Sequence, residues 1–259
     1  MTSSPHESRR DFLTRSTQGL TAMGTVAAWG SLSLPSSSVA SEKPRSPVER
    51  PDVFATHAKR ARKIAVGPKD QIFVAADQEV LVFNAQGQKQ NSLPLPRPAR
   101  CLAVAGDGRL YVGLIDRVHV FDAKLKEVSV SKRFSEKTIF SGIAISEKHL
   151  FLADAGQHVI WRCDLQARME YVFYGKNGFA SPAEFFSIEL GTDGNVRVVN
   201  SARHRVESYR SDGTFVSTWG ERSRTLEGFG GCCNPVSLAP LSNGAFITAE
   251  RGQPRVKLY

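Results

Sequence analysis

Ile64-Ala65-Val66-Gly67-Pro68-Lys69-Asp70-Gln71-Ile72-Phe73-Val74 and Leu102-Ala103-Val104-Ala105-Gly106-Asp107-Gly108-Arg109-Leu110-Tyr111-Val112 are two copies of one phrase. A short apolar strand meets a polar turn carrying Gly, Asp or Asn, and a second apolar strand follows. The phrase returns over 143–152, 188–198 and 238–248. Its starting residues, 64, 102, 143, 188 and 238, lie 38, 41, 45 and 50 positions apart. A period of this size built only from strands is the sequence mark of propeller blades.

Each phrase is followed by a third strand, at Val80–Phe83, Val118–Phe121, Val159–Trp161, Val206–Tyr209 and Val256–Tyr259. A fourth is clearest at Thr214–Trp219, after Asp212-Gly213, where glycine accepts the positive φ of a hairpin turn. The expected unit is a four-stranded antiparallel blade, and the expected class is all-β. Five blades fall near 64–97, 100–138, 139–179, 181–231 and 236–259, with no helix longer than three turns after residue 60. Strand alternation predicts that Val66, Ile72, Val104, Leu110, Ile145, Leu150, Leu190 and Val196 face blade interfaces. The sequence stops at the end of a third strand, which reads as a six-bladed propeller cut short. In the alternative, Asp52-Val53-Phe54-Ala55 supplies an outer strand and closes a ring of five. An unclosed propeller leaves sheet edges and inner faces exposed.

Ser8-Arg9-Arg10-Asp11-Phe12-Leu13-Thr14 precedes a stretch free of charge between Arg15 and Glu42, and Ser38-Val39-Ala40 places small residues before a cleavage point. The segment resembles a twin-arginine translocation signal, with Thr14 in place of the usual Lys. That resemblance implies a bacterial protein exported already folded, to the periplasm or beyond. Residues 1–40 are then the signal, 41–58 a polar, proline-containing linker, and 59–259 the propeller. The formal net charge is +9, and falls by one on cleavage. A basic cluster, Lys59, Arg60, Arg62 and Lys63, stands just before the first repeat. For an exported chain this balance suits anionic envelope polymers or a solvated surface better than nucleic acid.

Asn200-Ser201-Ala202-Arg203-His204-Arg205-Val206-Glu207 resembles the core of NHL repeats, and Asp154-Ala155-Gly156-Gln157-His158-Val159 matches it less fully. A closer likeness runs through Phe229-Gly230-Gly231-Cys232-Cys233-Asn234-Pro235 and Ala249-Glu250-Arg251-Gly252 to Tyr259. It is similar to a group of exported NHL-repeat proteins that carry Gly-Cys-Cys-Asn-Pro before such a blade. Gly230 stands where relatives often have another Cys, and Arg251 replaces their Lys. The resemblance implies a six-bladed propeller and no particular activity.

In this fold the loops between second and third strands, and those between blades, open on one rim. Asp77, Asp116, Asp154, Asn200 and Glu250 come from the first set. Cys232, Cys233 and Asn234 come from the second, joined by the loop Gly178–Pro182. The expected ligand-binding set is Cys232, Cys233, Asn234, Asp154, Asn200, Glu250 and Arg251. The recurring acids suit calcium, and equally suit capping of each turn. His158 and His204 hold equivalent repeat positions; with Cys232 and Cys233 they form an alternative metal set, while repeat packing accounts for both histidines. The vicinal cysteines are open to a strained disulfide or a thiophilic metal, and the favoured reading is pairing with a cysteine in a C-terminal part beyond this sequence. Cys101 and Cys163 read as buried small hydrophobes. No motif implies a cofactor, and no Cys-x-x-Cys or paired-His pattern is present. The leading function is a non-catalytic binding or scaffold module for a protein or an anionic envelope ligand. A metal- or thiol-dependent enzyme on the rim is the alternative, and nucleic-acid binding by the basic surface a further one.

Overall fold

The computed structural model describes residues 53–182, 185–225, 227–252 and 254–259. Residues 1–40, read above as an expected export signal, and most of the expected linker, Asp52 included, lie outside the described residues. Five antiparallel sheets follow one another along the chain. Blade 1 is β1 (Ala61–Val66), β2 (Ile72–Ala76), β3 (Glu79–Phe83) and β4 (Lys89–Pro94). Blade 2 is β5 (Cys101–Val104), β6 (Leu110–Gly113), β7 (Val118–Phe121) and β8 (Glu127–Val130). Blade 3 is β9 (Phe140–Ile145), β10 (Leu150–Asp154), β11 (Val159–Cys163) and β12 (Met169–Phe173). Blade 4 is β13 (Ile188–Leu190), β14 (Val196–Asn200), β15 (Arg205–Tyr209) and β16 (Phe215–Trp219). Blade 5 has three strands, β17 (Ser237–Pro240), β18 (Phe246–Glu250) and β19 (Arg255–Leu258). Helical structure among the described residues is confined to 3₁₀ turns at Pro68–Asp70 and Ser201–Arg203.

Alternation along each strand divides its apolar side chains between two neighbours. In β10, Leu150 and Leu152 pack with Cys101, Tyr111, Val118 and Val120 of blade 2. Phe151 and Ala153 point the other way and join Ile188, Val196, Val198 and Tyr209 of blade 4. Every blade interface from 1 to 5 carries such a core, so most of the hydrophobic stabilisation lies between sheets. The expected interface residues Val104, Leu110, Ile145, Leu150, Leu190 and Val196 all sit in these cores.

Val66 and Ile72 depart from the expectation. They lie on the face of blade 1 turned away from blade 2, where Phe54 and Ala58 cover Ile72 in part and Val66 remains 61% exposed. Among the described residues no core joins blade 5 to blade 1. Ile64 on one free face, and Val256 and Leu258 on the other, stay 66%, 74% and 67% exposed. Residues 53–60 form no strand, so the segment beginning at Val53 does not supply the missing outer strand of blade 5. Phe54 instead packs on Phe83 with ring centroids 5.0 Å apart. No helix among the described residues is long and apolar enough to cross a membrane.

Candidate functional site

The rim acids are spent on holding the blades together. Asp77 Oδ2 accepts the Lys59 N–H at 3.1 Å, and Asn200 Oδ1 accepts the Ala180 N–H at 2.9 Å. Asp154 Oδ1 accepts the Ile139 N–H at 3.0 Å, and Glu250 Oε2 the Gly230 N–H at 3.1 Å. In these four blades a polar side chain after the second strand grips the segment that leads into the blade's own inner strand. Blade 2 uses an ion pair, Asp116 to Arg133 at 2.6 Å.

Asp154 is fully buried and accepts six hydrogen bonds. Its Oδ1 also takes the Gly156 and Gln157 N–H groups, and its Oδ2 takes Thr138 Oγ1, Gln157 Nε2 and Trp161 Nε1. Desolvation raises its carboxyl, but the donors, led by Trp161 and Ile139, outweigh it and hold the acid below the usual carboxylate range. Asn200 is equally committed, its amide donating to Glu207 Oε1 at 3.1 Å. Glu250 is gripped by Arg255 and Lys257, each at 2.7 Å.

The blade 4–5 connection has a different character. Asn234 donates to the Gly230 and Arg251 carbonyls and accepts the Arg251 N–H at 2.9 Å, fastening the loop to the β18–β19 turn. Within this clasp Cys232 is exposed, Cys233 is half-buried, and both are free thiols. A hydrogen bond from Cys233 and then the Arg251 guanidinium hold the Cys232 thiol below its ordinary value. Burial, with Cys232 beside it, pushes Cys233 up. Arg251 stacks on Phe185 at 4.5 Å, which fixes its direction. Beside the thiols, Arg224, Arg251 and Arg255, together with Asn234 and Glu250, line a cavity of about 290 Å³.

The alternative metal set does not assemble. Among the described residues no three His, Cys, Asp or Glu side chains come together as ligands. His158 and His204 share a backbone role instead, with φ of 56° and 54° at the same turn of neighbouring blades. Histidine is among the few side chains that tolerate this left-handed position. His204 is buried, and desolvation with nearby Arg222 lowers its imidazole. Cys101 and Cys163 are sealed between blades 2 and 3. Burial raises both thiols, Cys101 to about 12.

One cluster has no exact counterpart among the expected site residues. Arg60, Arg62 and Lys63 meet Arg100, from the lead into β5, around a cavity of about 260 Å³ on the same rim. The run at 59–63 is visible in the sequence; the arrival of Arg100 depends on blade packing.

No protein-family profile and no curated protein matches the chain. Solved structures do. The fold is that of a β-propeller. Virginiamycin B lyase from Staphylococcus aureus aligns with a TM-score of 0.57 at 14% identity, over 77% of this chain and 69% of that one. A protein of unknown function from Bacteroides caccae aligns at 0.57 and 12%, over 74% and 70%. Kuenenia stuttgartiensis hydrazine synthase aligns at 0.57 and 17%, over 82% and 66%. At these identities the likeness shows the fold alone.

Proposed function

We propose that the protein is an exported, NHL-like binding propeller whose contact surface is the rim of blade 5 around Cys232, Cys233, Asn234 and Arg251. The observation that carries this is the contrast on one rim. Asp154, Asn200 and Glu250 are consumed in holding loops, whereas the Cys232 thiol is exposed beside an oriented guanidinium and an arginine-lined cavity. A surface of that kind suits a protein or anionic envelope ligand reached through the twin-arginine route. The other basic cavity, at Arg60–Lys63, includes no aromatic ring in its lining, which disfavours single-stranded nucleic acid as its partner.

A second reading, thiol-dependent chemistry at the same place, is favoured by the lowered Cys232 thiol with Cys233 adjacent to resolve it. Crosslinking tests the primary reading. A photocrosslinker attached to Cys232 should capture a discrete partner from native envelope extract. The same reagent on Lys124→Cys in a Cys232→Ser/Cys233→Ser background, in the β7–β8 turn at the other end of blade 2, should not. Identical capture from both positions would count against the rim. Turnover of a disulfide substrate that is lost in Cys232→Ser would instead select the second reading.

A further inference from the structure

The cationic cavity at the start of β1 combines three features that ordinary surface charge lacks. The first is its construction. In a regular strand, neighbouring side chains point to opposite faces, yet Arg60, Ala61, Arg62 and Lys63 all line one cavity. The pairing of β1 with β2 jumps from Ala61↔Ala76 to Lys63↔Ala75, so Arg62 is an unpaired bulge residue. A bulge re-aims the side chain it carries. Arg100 then arrives from the next blade, its Nε directed at the Phe140 carbonyl 3.5 Å away, which leaves the terminal nitrogens of the guanidinium for another acceptor.

The second feature is missing counter-charge. Arg205 and Arg255 on the same rim are each paired with a buried carboxylate. Among the described residues Arg60, Arg62, Lys63 and Arg100 make no ion pair. Asp77, after β2, accepts the Lys59 N–H and does not line the cavity. Half-buried Glu189 on β13 is within electrostatic reach of Lys63 but does not line the cavity, and burial raises its carboxyl. The third feature is that Ser141 in the wall is satisfied internally, its hydroxyl donating to the Phe186 carbonyl at 2.7 Å. The wall is therefore set, and the cations are what remains to be neutralised.

We infer that this cavity binds a phosphoryl group, held by Arg60, Arg62, Lys63 and Arg100. Planar guanidinium forks match the oxygens of a tetrahedral dianion, and a single carboxylate would leave most of the positive charge uncompensated. The group comes either from free phosphate or from a phosphoryl ester. This cavity shares no lining residue with the one beside Cys232 and does not rest on that reading.

Titration calorimetry of the full chain with inorganic phosphate and with sn-glycerol 3-phosphate tests it. Binding of both identifies free phosphate as sufficient; binding of the ester alone identifies an ester-borne group, and either supports the site. Arg60→Gln/Arg62→Gln, at two exposed positions, should weaken binding about tenfold or more. Cys232→Ser should leave it unchanged, so that failure here and failure of the rim reading are told apart. No heat with either probe up to about 10 mM, well above the millimolar affinity expected of a weak specific site, overturns the inference. So does undiminished affinity in the double variant.

Discussion

Replacing Asp154 separates a structural rim from a ligand-binding one. In Asp154→Ala the part-buried Ile139, Gly156 and Gln157 N–H groups and the Trp161 indole lose the fully buried acceptor they share. A stranded donor costs about 1–3 kcal/mol when fully buried, and these part-buried donors cost less each because water reaches part of the space. A loss of about 4 kcal/mol is expected, a large fraction of the 5–15 kcal/mol that holds a typical domain. Asp154→Asn is milder and more informative. Oδ1 keeps its three backbone donors, while the new amide meets Thr138, Gln157 and Trp161. The Thr138 hydroxyl can accept and the Gln157 amide can turn over, but an indole N–H only donates. One unsatisfied pair remains, for about 1–3 kcal/mol. Because the native carboxyl lies below its ordinary 3.8, its contribution is present above that value and is lost as pH falls through the folded value. Urea unfolding followed by far-ultraviolet dichroism should show midpoints falling in the order native, Asp154→Asn, Asp154→Ala, with slopes unchanged. An alanine variant within about 0.5 kcal/mol of the native protein would refute the structural assignment and return Asp154 to the ligand set.

Two other outcomes are expected. Glu189 is raised from 4.5 to about 8 by burial, with Lys63 opposing, so the folded state holds a proton that the unfolded state releases. Stability should therefore decline as pH rises from about 4.5 through about 8, by an order of 1–2 kcal/mol once water at this half-buried site is allowed for, and Glu189→Gln should flatten the profile. A profile shared by both proteins would contradict this. Arg9→Lys/Arg10→Lys should block export and leave the folded domain intact, because an ammonium cannot supply the planar hydrogen-bonding geometry of paired guanidinium groups. Undiminished appearance of the variant in the periplasm would point to the general secretory route.

The blade pattern was legible because each strand pair repeats the same period-two alternation, and packing between sheets rewards it at four interfaces. The alternation does not say which faces are covered. Val66 has the same apolar spacing as Val104, yet one lies on a free face and the other in a core, since coverage depends on a neighbouring blade. Asp154 and Glu250 were visible as recurring rim acids, with calcium and capping equally open from spacing; only the hydrogen-bond partners, 15 and 20 residues earlier, display their holding role. The recurring histidines carried a backbone signal, a left-handed turn position, that resembles a ligand pattern when read as letters. Arg62 and Arg100 could not be associated from sequence, because a bulge and a blade contact bring them together.

Graded alkylation with mass spectrometry, under mild reduction, is the most direct measurement of whether the blade 5 rim presents an accessible thiol pair while the other two cysteines stay buried. Cys232 should label first, its rate at neutral pH falling in Arg251→Ala as the thiol returns toward its ordinary value, and Cys233 should follow. Cys101 and Cys163, buried between blades 2 and 3, should label only on unfolding. Labelling of Cys101 or Cys163 as fast as Cys232 in the folded protein would contradict the account.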